Sequence, residues 1–155
     1  MAKVCDHTSV GMLVWRDGKL LLIERKKFPF GFAPPAGHVD GDESFETAAC
    51  RELKEEVGLG VVTMKVLFEG RKDNMCRRED GAWHYWKIYE VKALGSVKNS
   101  KEETKKYCWA DKRKLEKLAR KTEEYLKGGI SEKNWQKSPG LEPVWHEILK
   151  DLGIF

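Results

Sequence analysis

Apolar and polar positions divide this chain into short apolar runs, one amphipathic central segment and a helix-patterned end. Residues 8–15, TSVGMLVW, are apolar and partly β-branched, and Leu20 to Ile23 resume the pattern. Between them Arg16-Asp17-Gly18-Lys19 predicts a hairpin turn. The second strand leaves through Glu24-Arg25-Lys26-Lys27, a basic exit. Residues 28–37, FPFGFAPPAG, are irregular or briefly extended, because Pro34 and Pro35 cannot donate to a ladder. Next, Phe45, Ala49, Leu53 and Val57 recur every four positions, the stripe of a helix packed on one side. Asp42 or Ser44 caps its start, and Gly58 ends it in a left-handed conformation.

The second half reads in the same way. VVTMKVLF, from Val61 to Phe68, is a strand and residues 71–81 are a polar loop. Residues 82–94 form an aromatic strand with Trp83, Tyr85 and Lys87 on one face and His84, Trp86 and Ile88 on the other. TKKYCWA supplies a short last strand. Residues 111–127 carry Leu115, Leu118 and Leu126 at helical intervals behind Asp111 as cap, and Gly128-Gly129 break the helix. Val144, Trp145, Ile148 and Leu152 predict a final docked helix over Pro143 to Leu152. Strands, one central helix, more strands and then helices indicate an α/β fold with a mixed sheet covered by helices.

Composition narrows this picture modestly. At 155 residues the chain fits one domain. It has no run of about 18 apolar residues, so no membrane span is expected. MAKVCDHTSV lacks a signal-peptide pattern, which makes a cytoplasmic location the expectation. Cys5, Cys50, Cys76 and Cys108 form no CxxC pair, so they are read as reduced thiols and not as a zinc or redox site. Cys5 and His7 lie close in sequence but lack a second pair. Net charge is +4, a mild excess that suits an anionic ligand without requiring one. No long basic patch points to nucleic acid.

The chemistry is concentrated between Gly37 and Leu59, GHVDGDESFETAACRELKEEVGL, which holds seven acidic residues. On a helix, Glu52, Glu55 and Glu56 fall together on one face. Three like charges near the negative end of the helix dipole repel one another, and a hard divalent cation with oxygen ligands would offset that cost.

Gly37, then Glu43, then Arg51-Glu52-Leu53-Lys54-Glu55-Glu56-Val57-Gly58-Leu59 resembles the signature of the Nudix hydrolases at every fixed position. Most of residues 8–120 fits that family, leaving about 128–155 as a C-terminal extension with an extra helix on a single domain of 1–155. The resemblance implies an α/β/α sandwich around a mixed sheet. It also implies Mg²⁺- or Mn²⁺-dependent hydrolysis of a nucleoside diphosphate linked to another moiety. By that similarity Glu52, Glu55 and Glu56, with the Gly37 carbonyl, are the metal ligands, and Arg51 pairs with Glu43 to shape the loop. The base that activates water is Glu55 or Glu52, or else Glu103, which lies six residues before Trp109 beside Glu102. One departure is Ala36, where many relatives carry a second glycine.

Substrate contacts are less sharply marked. Trp83, His84, Tyr85 and Trp86 are candidates for stacking on a base, although alternate members must fill the core. Phe28, Phe30 and Phe32 border the expected pocket. Arg25, Lys26, Lys27, Arg77 and Arg78 are candidate phosphate clamps, Arg25 foremost, while His38 reads as structural. The expected partner is a small-molecule nucleotide, with nucleoside triphosphates leading. Dinucleoside polyphosphates, nucleotide sugars and a catalytically silent binding module are the alternatives, and mRNA decapping is a weaker one. Trp135, Trp145 and Phe155, read as exposed tail aromatics, suggest a homodimer.

Overall fold

The computed structural model describes residues 3–42 and 44–155. Its elements in order are β1 (Thr8–Arg16), β2 (Lys19–Arg25), β3 (Phe32–Ala33), β4 (Ala36–Gly37), α1 (Phe45–Val57), β5 (Gly60–Lys72), β6 (His84–Leu94), β7 (Thr104–Ala110), α2 (Lys112–Leu126), α3 (Glu132–Lys137) and α4 (Pro143–Asp151). The hairpin turn uses Asp17 and Gly18, both at positive φ, as the Asp-Gly pair predicts.

The sheet runs β3-β2-β1-β6-β5, with β4 paired to β1 and β7 to β2. It is mixed, since β1 and β6 run parallel from Thr8↔Tyr85 to Val14↔Val91 while β1–β2 and β5–β6 are antiparallel. β1 and β2 pair near the turn, at Trp15↔Leu20 and Arg16↔Lys19. Farther along, β1 takes β4 and β6 as partners, whereas β2 takes β3 and β7.

Both faces of this sheet are covered, which explains why β1 and β2 read as continuous apolar runs rather than alternating ones. On one face Val10, Met12, Val14, Leu21 and Ile23 pack with Ala48, Ala49, Leu53 and Val57 of α1. On the other Leu13, Leu20, Leu22 and Ile88 pack with Leu115 and Leu118 of α2 and with Val144, Trp145 and Ile148 of α4. The α/β/α layering therefore follows from two separate cores sharing one sheet.

The C-terminal helices correct one expectation. Trp135 and Trp145 are each only 1% exposed, and Phe155 packs against the core. A Cβ on Gly11 would overlap the Trp145 ring, so that tryptophan lies directly on the backbone of β1. Trp135 stacks on Tyr125 with centroids 3.9 Å apart. The two tryptophans are buried within this chain and Phe155 is half-buried, so their exposure no longer speaks for a dimer. Helix α3 was not read in the sequence, because it is too short to show a period. Among the described residues no helix is long and apolar enough to cross a membrane.

Candidate active site

Helix α1 places the carboxylates. Ser44 caps it, its Oγ accepting the Thr47 N–H at 3.0 Å, and Gly58 closes it at φ 73° with its N–H donated to the Lys54 carbonyl. With Leu53 and Val57 fixed in the core, Glu52, Glu55 and Glu56 turn toward a cavity of about 700 Å³. Ser9 at the start of β1 and Arg25 at the end of β2 also line it, so it opens where these strands part. Gly37, Glu102 and Glu103 complete the candidate set brought together here.

Each carboxylate has a distinct environment. Glu56 is 7% exposed and accepts the Ala36 N–H at 2.9 Å. Burial raises its pKa to about 8, against the pull of nearby Arg25. Burial raises Glu52 as well, with Arg51 opposing, while the Glu55 side chain stands 60% exposed at the rim. Arg51 donates to Glu52 at 2.8 Å, to Glu55 at 3.3 Å, to Asp42 at 2.9 Å and to the His38 carbonyl at 2.9 Å. Among the described residues Asp42 ties Arg51 to the loop; the pairing of Arg51 with Glu43 expected from the sequence lies outside the described residues. Glu103 enters from the loop before β7, held by Arg77 at 3.4 Å and Lys27 at 3.9 Å.

These residues fit a hard divalent cation. Buried Glu56 and half-buried Glu52, both raised in pKa, with a third carboxylate at the rim and a backbone carbonyl, would make an all-oxygen donor set of the kind Mg²⁺ takes. The backbone of Gly37 lies so close to Glu52 that a Cβ there would overlap the carboxylate, which accounts for glycine at that position.

The substrate candidates separate into two groups. Arg25 lines the cavity, donating Nε to the Pro29 carbonyl at 2.8 Å and lying 3.8 Å from Glu142. Phe32 does not line it: at 5% exposure it belongs to the α2–α4 core. Trp83 stacks on His7 at 4.0 Å and lies under the Arg71 guanidinium, and Tyr85 meets Phe45 edge-on on the α1 side. Alternation along β6 turns His84 and Trp86 to the cavity instead. The two faces follow the expected alternation, and the cavity-facing one is the even-numbered face.

Glu142 and Asn74 are among the cavity residues that the sequence does not mark. Glu142 precedes α4 and is buried, which raises its pKa to about 7 with Arg25 opposing. Asn74 accepts the Trp86 indole N–H at 3.0 Å. Neither has a local signature, since both arrive through long-range packing. A second cavity of about 680 Å³ adjoins the first, sharing Pro29, Asn74, Met75 and Glu142, and is bordered by Phe28 and Phe30.

The NUDIX domain profile matches residues 6–128, and the chain belongs to that family. It is similar to the ADP-ribose pyrophosphatase of Methanocaldococcus jannaschii, 46% identical over 57 residues, covering 34% of each chain. It is also similar to the m7GpppN-mRNA hydrolase NUDT17 of Danio rerio, 39% identical over 69 residues, covering 42% of this chain and 20% of that protein. The matched stretch thus spans about a third and a fifth of the length of these relatives. The fold is that of the MutT NUDIX hydrolase from Burkholderia pseudomallei, with a TM-score of 0.61 at 25% identity over 69% of this chain and 84% of that one.

Proposed function

We propose that this protein is a divalent-metal-dependent pyrophosphohydrolase acting on a nucleoside triphosphate or another nucleoside diphosphate derivative. The observation that carries the reading is the convergence of Glu52, Glu55, Glu56 and Glu103 on one cavity that also holds Arg25 and Arg77. Glu52, Glu55, Glu56 and the Gly37 carbonyl would hold Mg²⁺ or Mn²⁺. When bound, the cation neutralises charge on the phosphate oxygens and orients water.

The chain's own residues supply the rest. Arg25 and Arg77 draw the polyphosphate into the cavity and hold its oxygens. Glu103, outside the box, is the carboxylate proposed to take the proton of the attacking water; Glu55 and Glu52 are the alternatives. Water adds to phosphorus, the anhydride P–O bond breaks, and the leaving phosphate carries away the bond's electron pair. Arg51, tied to Asp42 and the His38 carbonyl, positions Glu52 and the Gly37 loop. The adjoining cavity with Phe28 and Phe30 offers apolar surface for the nucleoside.

A panel with Mg²⁺ tests this: nucleoside triphosphates, dinucleoside polyphosphates, nucleotide sugars, ADP-ribose and capped RNA, with phosphorus products resolved. Cleavage of at least one, lost in Glu52→Gln, is the expected outcome. Tight binding of a panel member without cleavage would instead favour a silent nucleotide-binding regulator.

A further inference from the structure

Three residues that line the cavity, His38, Cys76 and His84, join buried Cys5 in a second cluster, chemically unlike the first. Cys5, His38, Cys76 and His84 each offer one ligand atom, and all four atoms lie within 4.8 Å of one another. The Cys5 Sγ is 3.6 Å from His38 Nε2 and 3.3 Å from His84 Nε2. With Zn–S near 2.3 Å and Zn–N near 2.0 Å, a tetrahedral ion has S···N edges of about 3.5 Å and no edge longer than about 3.8 Å. The observed separations bracket those S···N edges, and closure of the widest gap needs about 1.5 Å or less.

Backbone groups hold both sulfurs in place. The sulfur of each cysteine accepts the amide two residues on: His7 N–H reaches Cys5 Sγ at 3.3 Å and Arg78 N–H reaches Cys76 Sγ at 3.4 Å. Such donors fix the direction in which each sulfur points. The two cysteine segments are tied by backbone, Cys5 N–H to the Glu79 carbonyl at 2.8 Å and Glu79 N–H to the Lys3 carbonyl at 3.0 Å. A Cβ on Gly81 would overlap the Cys76 sulfur, so the turn needs glycine to bring that thiol in. His84 keeps a buried Nδ1 with no hydrogen-bond partner among the described residues. Coordination through Nε2 would fix Nδ1 as the protonated nitrogen.

We propose that Cys5, His38, Cys76 and His84 form a closed S₂N₂ site for a structural zinc ion. Four protein ligands leave no position for substrate, and thiolate with imidazole selects zinc where the neighbouring glutamates select a hard cation. The ion would tie the N-terminal segment, the Gly37–His38 loop and the 73–83 connection to the start of β6. None of these pieces has a core of its own.

The test is the metal content of the intact chain, refolded with one equivalent of Zn²⁺ and dialysed against Mg²⁺ buffer. About one zinc per chain is expected, falling to near zero in Cys76→Ser and unchanged in Cys50→Ser, which lies on the exposed side of α1. Reconstitution of the parent with Co²⁺ provides a readout independent of the variants, with a tetrahedral visible spectrum and a thiolate charge-transfer band expected. Loss of zinc during dialysis, equal zinc in Cys76→Ser, a cobalt spectrum without the thiolate band, or a Cys5–Cys76 disulfide in the intact mass would each overturn the proposal.

Discussion

Two clusters border one cavity, and they are assembled in opposite ways. The glutamates come from five consecutive positions of α1, and helix geometry alone puts them on one side. Their carboxylates are hard, crowded and partly buried, so they need cations, and Arg51 and Arg25 stand beside them. The cysteines and histidines come from four segments spread over 80 residues, from Cys5 to His84. They are soft donors, brought together by the β1–β6 register and by the backbone bridge at Glu79. Crowding of like charge suits a site that exchanges ligands, whereas a closed set of soft donors suits one that holds the chain in place.

The contrast breaks most visibly by substitution. Glu56→Gln should lower kcat/KM by about 10²- to 10³-fold or more while leaving zinc content unchanged. Cys76→Ser should do the reverse, lowering thermal stability and zinc content while activity at low temperature stays within about tenfold, as expected for a positioning site. Steady-state rates and melting curves on the same preparations check both.

The pH response sharpens the difference further. In metal-free protein Glu56, with an ordinary value of 4.5, is raised to about 8, and Glu142 is raised to about 7. Between those values the unfolded chain has released protons that the folded chain retains, so stability falls as pH rises from about 4.5 to about 8. Melting curves of metal-free protein should show that decline, and Glu56→Gln should flatten it. Added Mg²⁺ should restore stability most at the alkaline end, where the carboxylates it binds are ionised.

Smaller effects discriminate within the site. Glu103→Gln should cost about 10²-fold in kcat with little change in KM, whereas a loop residue that is only solvated would leave both unchanged. Trp83→Ala should alter KM by less than about twofold, because its ring is occupied by His7 and Arg71 on the sheet's periphery.

What was legible in the sequence follows the same division. Elements set by local pattern were readable: the Asp17-Gly18 turn, the α1 stripe with its Ser44 and Gly58 ends, the alternation along β6 and the Asp111 cap of α2. The glutamate cluster was visible for the same reason, because one helix carries it. Properties fixed by tertiary packing were not. The choice of which β6 face meets the cavity depends on what covers each side; Trp145 reads as exposed because its partner Gly11 is distant in sequence, and Trp135 because its partner Tyr125 lies on another helix. Glu142 and the cysteine–histidine cluster lacked any spacing signal. Cys5 next to His7 drew notice, yet the ring beside the Cys5 sulfur is that of His84, while His7 turns away to stack on Trp83.

The most direct test of the account is pyrophosphate hydrolysis with Mg²⁺, measured on the best substrate of the panel for parent, Glu52→Gln and Glu56→Gln under identical conditions. The parent should turn the substrate over, and both variants should lose that turnover by about 10²-fold or more while remaining folded. Parent-like rates in either variant would contradict it.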